Sequence, residues 1–214
     1  MRRLTHIVMS PPCRLVRLIL GEKRLAYDVA ASDDPQKHLP IFIDVDGTAV
    51  TGLWAIVDHL ESLYPESPLV PEDAAERAEA LRLLDWTMTK FHDEVTRRVL
   101  FEKAAWSHTG TLHRAPPNME TVRHGRIALL ANLQKIAPLA EGRRFLAGRD
   151  ASLADLAFAA HLSALDYYGE VPWADVPAVM EWYVRMKSRP SFRMLLADRV
   201  PGQPPVQHYA ELDF

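Results

Sequence analysis

The residues best suited to chemistry near the start of the chain are Ser10 and Cys13, in the run Met9-Ser10-Pro11-Pro12-Cys13. A serine directly ahead of a helix is a preferred N-cap, worth about 1 kcal/mol. Pro11 suits a first helical turn, because its missing N–H would be unpaired there anyway. Cys13 is the single cysteine of the chain, so it forms no internal disulfide and has no second thiol to resolve a mixed one. Inside a first helical turn it reads as a small packing residue rather than a nucleophile. The triplet His92-Asp93-Glu94 has catalytic residue types, but consecutive helical residues point in different directions, which predicts a polar face or one packed histidine. The chain carries no His-Glu-x-x-His, nucleophile elbow, Walker loop or dinucleotide fingerprint. Its nine histidines are scattered, and no metal is expected.

These residues need elements to place them. Leu4 to Met9 reads as a strand, and the helical spacing of Leu15, Val16, Ile19 and Leu20 then puts a helix after Ser10, ending near Gly21 or Lys23-Arg24. Leu25 to Ala30 is a second strand. The polar stretch Ser32 to His38 shows no clear helix of its own. Ile41 to Val45 and Thr48 to Val50 flank Asp46-Gly47, a favoured turn dipeptide, and so read as a hairpin. Leu53, Ile56, Val57 and Leu60 mark a helix closed by Pro65.

Three prolines between Pro65 and Glu72 mark a linker, after which no strand pattern appears. The expected organisation is a first domain over 1–65, a linker over 66–72 and an all-helical domain over 73–214. In the latter, helices are predicted from Ala74 to about Trp106 and from Asn118 to about Leu139, separated by a loop with Gly110 and Pro116-Pro117. Ser152-Leu153-Ala154-Asp155 is a capping motif opening a further helix, whose Leu156, Ala159, Ala160 and Ser163 form a small-residue face. Val176 to Lys187 and Ser191 to Ala197 complete the set, and the proline-rich tail from Pro201 is expected to be non-helical. With 48% apolar and 25% charged residues and a net charge of −3, the composition is that of a globular protein with no nucleic-acid footprint. No apolar run of membrane-spanning length, one cysteine and a broken N-terminal apolar run point to the cytoplasm.

The strand-Ser10-Pro11-helix start, the Leu39-Pro40 step before a hairpin, the proline linker and the Ser152 to Asp155 helix opening, in that order, resemble the glutathione transferase superfamily over nearly the whole chain. The resemblance implies an α/β plus all-α fold: a thioredoxin-like N-terminal domain and a helical-bundle C-terminal domain. The runs Lys90–Thr96, Asp166–Trp173, Lys187–Arg193, Leu196–Gly202 and His208–Phe214 resemble a narrower branch, found in alphaproteobacteria, that binds filaments of the division GTPase FtsZ. That branch implies a non-catalytic, dimeric partner of FtsZ.

In catalytic members of the superfamily a hydroxyl or thiol at the place of Ser10 serves the glutathione sulfur, so Ser10 is the catalytic residue if the chain is an enzyme that conjugates or transfers thiol groups. A hydroxyl donor and a helix N-terminus both favour a thiolate. Leu39 and the cis proline expected at Pro40 match the family's backbone contact to the cysteinyl part of glutathione. The family's acidic or amide residue and serine, which grip the γ-glutamyl end, align with Gly52-Leu53. Neither side chain can replace a hydrogen bond worth about 1.5–3 kcal/mol, so glutathione binding is expected to be weak or lost.

The end of the chain carries the other candidate site. Tyr209, Leu212 and Phe214 offer apolar anchors beside the negative Glu211 and Asp213, a composition suited to partner recognition. The alternative is that the tail packs back over the helical domain and covers apolar surface.

Overall fold

The computed structural model describes residues 1–32, 38–104 and 116–212. The expected ends of helix and loop at Trp106 and Gly110, most of the Ser32 to His38 stretch, and Asp213 and Phe214 lie outside them.

The first third of the chain forms β1 (Arg2–His6), α1 (Pro11–Glu22), β2 (Tyr27–Ala31), β3 (Ile41–Ile43), β4 (Ala49–Thr51) and α2 (Leu53–Leu63). The sheet order is β2-β1-β3-β4, with β1 and β2 parallel and the other pairs antiparallel. β1 ends earlier than its β-prone run predicts, because the chain turns there: the Ser10 N–H donates to the Ile7 carbonyl at 3.2 Å. Asp46-Gly47 does mark the hairpin, as the end of a three-residue loop. The Gly47 N–H bonds the Asp44 carbonyl at 3.1 Å with φ +88°, and the Asp44 N–H bonds the Thr48 carbonyl. A left-handed position of this kind favours glycine.

The remaining elements are helical: α3 (Ala74–Trp86), a π-helical stretch (Thr87–Thr96), α4 (Arg97–Lys103), α5 (Met119–Gly142), α6 (Leu153–Tyr167), α7 (Pro177–Lys187) and the single turn α8 (Arg193–Leu196). The single long helix expected from Ala74 is thus interrupted by a wider winding, seen in the Arg97 N–H bonding the His92 carbonyl. This stretch splits the His92-Asp93-Glu94 triplet. His92 packs edge-on to Phe101 and His161, Asp93 faces Arg97, and Glu94 pairs with Lys90 at 2.6 Å. His161 is fully buried with Thr96 Oγ1 at 2.7 Å from its Nδ1, and burial holds its pKa down to about 3.

α6 is buried along its whole length. Its start is held by Asp155, whose carboxylate accepts the Ser152 N–H and hydroxyl, the Leu146 N–H and the Trp182 indole N–H, all within 3.1 Å. α1 is buried almost all round as well, because it packs against α2, α6 and the Pro190–Phe192 turn. The contact with that turn is so close that a Cβ on Gly21 would meet the Ser191 Cα at 2.8 Å. No described helix is long and apolar enough to cross a membrane.

Candidate functional site

The sheet register brings three sequence candidates to one end of the first domain. Thr5 of β1 pairs with Ile41 of β3, and Ile41 with Thr51 of β4. Ser10 follows β1, Leu39-Pro40 precede β3, and Gly52-Leu53 follow β4, so all three groups leave the sheet at the same edge. The Leu39–Pro40 peptide is cis, Pro40 is buried, and its carbonyl accepts the Gly52 N–H at 2.9 Å.

The chemistry this edge offers is sparse. Ser10 is nearly buried in extended backbone, and its side chain does not cap α1. The expected cap bond is missing: Pro12, the second helical residue, has no N–H to give, which leaves only the N–H of Cys13, and the Ser10 side chain does not take it. Pro11 and Pro12 together remove two of the backbone donors with which a helix N-terminus holds an anion. Cys13, at zero exposure, accepts the Ile7 N–H at 3.4 Å, and burial raises its pKa, so the sulfur is a neutral packing thiol. Gly52 caps α2 at φ +90°, and Leu53 is its first residue. No side-chain donor or acceptor stands at either of those two positions.

The polar groups are concentrated one turn further along α1. Arg14 is fully buried. Its Nε donates to the Ser163 hydroxyl of α6 at 2.8 Å, one terminal nitrogen serves the Val8 carbonyl and Asp198 Oδ2, and the other reaches the Tyr209 hydroxyl. Arg17, one turn on, makes a fork with both oxygens of Asp198 at 2.8 and 2.9 Å. A bidentate charge-assisted pair of this kind is among the stronger protein contacts. His6 stands beside this charge group. Burial first, then Arg17 and Arg14, lower its pKa to about 4, with Asp198 opposing, so the ring is neutral at pH 7.

Through these contacts α1 holds the tail. The Tyr209 ring has no exposed surface. It packs with Met9, Tyr167 and Val200, and its hydroxyl also donates to the Leu195 carbonyl. The flanking tail is fixed at several more points. The Val206 N–H bonds the Tyr167 carbonyl, Lys187 reaches the His208 and Glu211 carbonyls, and His208 Nε2 lies 3.0 Å from the buried Asp166 carboxylate. The expectation of a non-helical tail is corrected here: Gln207–Ala210 makes one 3-10 turn, wound around the anchored Tyr209. Tyr209 is likewise withdrawn from the set of surface anchors, since its ring faces inward. Glu211 and Leu212 are exposed, Leu212 at 43%.

Comparison with known proteins identifies the frame. Residues 4–68 match the family description "Glutathione S-transferase, N-terminal domain", and residues 115–190 match "Glutathione S-transferase, C-terminal domain". FtsZ-localized protein A of Caulobacter vibrioides is 42% identical, over 100% of this chain and 98% of that protein. The chain belongs to the glutathione S-transferase superfamily. Among solved structures of that superfamily, FzlA from C. crescentus superposes with a TM-score of 0.91 at 42% identity, covering 100% of this chain and 99% of that one. A glutathione S-transferase from Rhodospirillum rubrum gives 0.91 at 40% identity with 100% of both chains covered, and one from Sinorhizobium meliloti gives 0.84 at 36%.

Within this transferase fold, sequence reasoning missed Arg14, Arg17 and Asp198. The signal was present: two arginines three residues apart interrupt the otherwise apolar run from Cys13 to Leu20. Charges on a helix face that must be buried call for partners elsewhere in the chain. Which partners they find, 184 and 195 positions away, is not written locally.

Proposed function

We propose that this chain is a transferase-fold adaptor that binds FtsZ filaments in bacterial cell division, acting in the cytoplasm as a homodimer, and that it is not a glutathione-conjugating enzyme. The observation that carries this reading is the full-length match to FtsZ-localized protein A. The chemistry of the sheet edge supports it. Two of the first-turn donors of α1 are replaced by proline, and the side chains at Gly52 and Leu53 cannot hold the charged γ-glutamyl end. The loss of two hydrogen bonds to charged groups lowers affinity by two or more powers of ten. A dimer presents two copies of one surface to a filament and gains affinity by simultaneous engagement. The exposed Glu211 and Leu212, with Asp213 and Phe214 beyond them, are the proposed contact strip.

Co-sedimentation with assembled FtsZ tests the reading. Saturable pelleting that is lost on removing residues 211–214 is the expected result, and no pelleting by the full chain would refute it. Calorimetric titration with glutathione to roughly 10 mM, which covers affinities weaker than about −4 kcal/mol, is expected to give no saturation.

The second reading is a glutathione transferase that uses Ser10, with Leu39 and Pro40 as the backbone contact to glutathione. The observations that favour it are the cis Leu39–Pro40 step at the same sheet edge as Ser10 and the 40% match to the R. rubrum transferase. It requires turnover that falls in Ser10→Ala.

A further inference from the structure

We infer that Arg14 is the positioning residue of the partner-binding strip: from within α1 it clamps Tyr209 and so presents Glu211 and Leu212 as a pre-formed rigid surface. The inference rests on the adaptor reading above. Three observations converge on it. Arg14 is fully buried and its contacts run to α6, to Asp198 and to Tyr209, so one side chain ties the first domain to both the helical domain and the tail. The Tyr209 hydroxyl is used twice, accepting from Arg14 and donating to the Leu195 carbonyl. On either side of Tyr209 the tail backbone is held by Tyr167 and Lys187, while Glu211 and Leu212 turn outward.

The physical logic is pre-organisation. A free tail of this composition would have to be ordered at the moment of binding, at the cost of side-chain and backbone freedom. Here the ordering is done on folding. Releasing Tyr209 would leave a charged donor of Arg14 buried and unpaired, which penalises the loosened state. The outward strip combines one carboxylate and one apolar side chain, so the complementary patch on the filament is apolar with a basic neighbour.

The test uses Tyr209→Phe in the full chain, which keeps the ring in its cluster with Met9, Tyr167 and Val200 and removes only the hydroxyl. Amide hydrogen exchange and FtsZ co-sedimentation are read on the same protein. The expected result is about tenfold faster exchange at Val206, Tyr209 and Glu211, unchanged exchange in α6, and FtsZ affinity weakened about tenfold. Arg14→Lys, which keeps the charge but loses the nitrogen that reaches the Tyr209 hydroxyl, is expected to loosen the tail and weaken FtsZ binding in the same direction. A double-mutant cycle supplies the readout that a merely structural role would not move: Leu212→Ala is expected to weaken binding in the parent and to have little further effect in Tyr209→Phe. A loosened tail with unchanged affinity, additive effects, or unchanged exchange would each overturn the clamp. If the parent protein itself fails to pellet with FtsZ, the adaptor reading falls first and takes this inference with it, whatever the exchange data show.

Discussion

The two ends of the short segment from Ser10 to Arg17 differ sharply in how they use polar groups. At Ser10, Pro11 and Pro12 the helix has given up two backbone donors and its cap bond, and across the sheet edge Gly52 and Leu53 bring no side-chain polarity. One turn later, Arg14 and Arg17 are buried and make charge-assisted bonds to Asp198, Ser163 and Tyr209. Along α1 the described side-chain hydrogen bonds of Arg14 and Arg17 go to α6, to Asp198 and to Tyr209 of the tail.

The contrast is sharpest in mutational cost. Arg14→Ala is expected to destabilise the protein by about 3–5 kcal/mol in urea unfolding, because it breaks a buried charged network from one side. A cost below about 1 kcal/mol would erase the distinction between the two ends. Next in size is a pH effect at the same place. The pKa of His6 is depressed to about 4 in the fold, against an unfolded value near 6.5. The unfolded chain therefore binds the extra proton first, and the stability contributed by the neutral ring is complete above pH 6.5 and is lost as pH falls towards 4. Between pH 7 and 4.5 this amounts to about 2–3 kcal/mol. His6→Gln should show that much less acid destabilisation than the parent, and equal slopes in the two proteins would refute it.

The polar-poor edge gives smaller numbers. Gly52→Ala should cost about 1–2 kcal/mol through its left-handed backbone at φ +90°, with no change in glutathione titration. A loss of measurable glutathione binding in that variant would show that the edge still holds the tripeptide. Smallest of all, Ser10→Ala is expected to stay within about 0.5 kcal/mol of the parent in thermal or urea unfolding, since no cap bond is lost. A cost above 1 kcal/mol would mean that the hydroxyl carries a structural bond.

The architecture was legible because its signals are local. Helical spacing at Leu15, Val16 and Ile19, the Asp46-Gly47 turn, the Ser152 to Asp155 cap and Pro65 each act within a few residues, and the elements stand close to where those signals put them. Two features were not legible. The π-helical winding at Thr87–Thr96 depends on how Phe91, His92 and Thr96 meet α6, a tertiary fit with no sequence period of its own. The tail showed its aromatic and acidic residues but not their directions. Tyr209 turns inward because a buried guanidinium from α1 is waiting for its hydroxyl, and that partner lies 195 positions away. Gly52-Leu53 could be placed at the sheet edge from the sequence, but the loss of donors at Pro11 and Pro12 needed the helix start to be fixed before it could be counted.

One further property follows from the far end of α1. There Glu22 receives a two-pronged bond from Arg189 at 2.6 Å and the Ser191 hydroxyl at 2.6 Å. With Arg14 pinned eight residues earlier, about 12 Å along the axis, the helix is a rod riveted at both ends into the second half of the molecule. A pull on the tail at Tyr209 therefore reaches α1 through Arg14 and is shared with that helix's second anchor at Glu22.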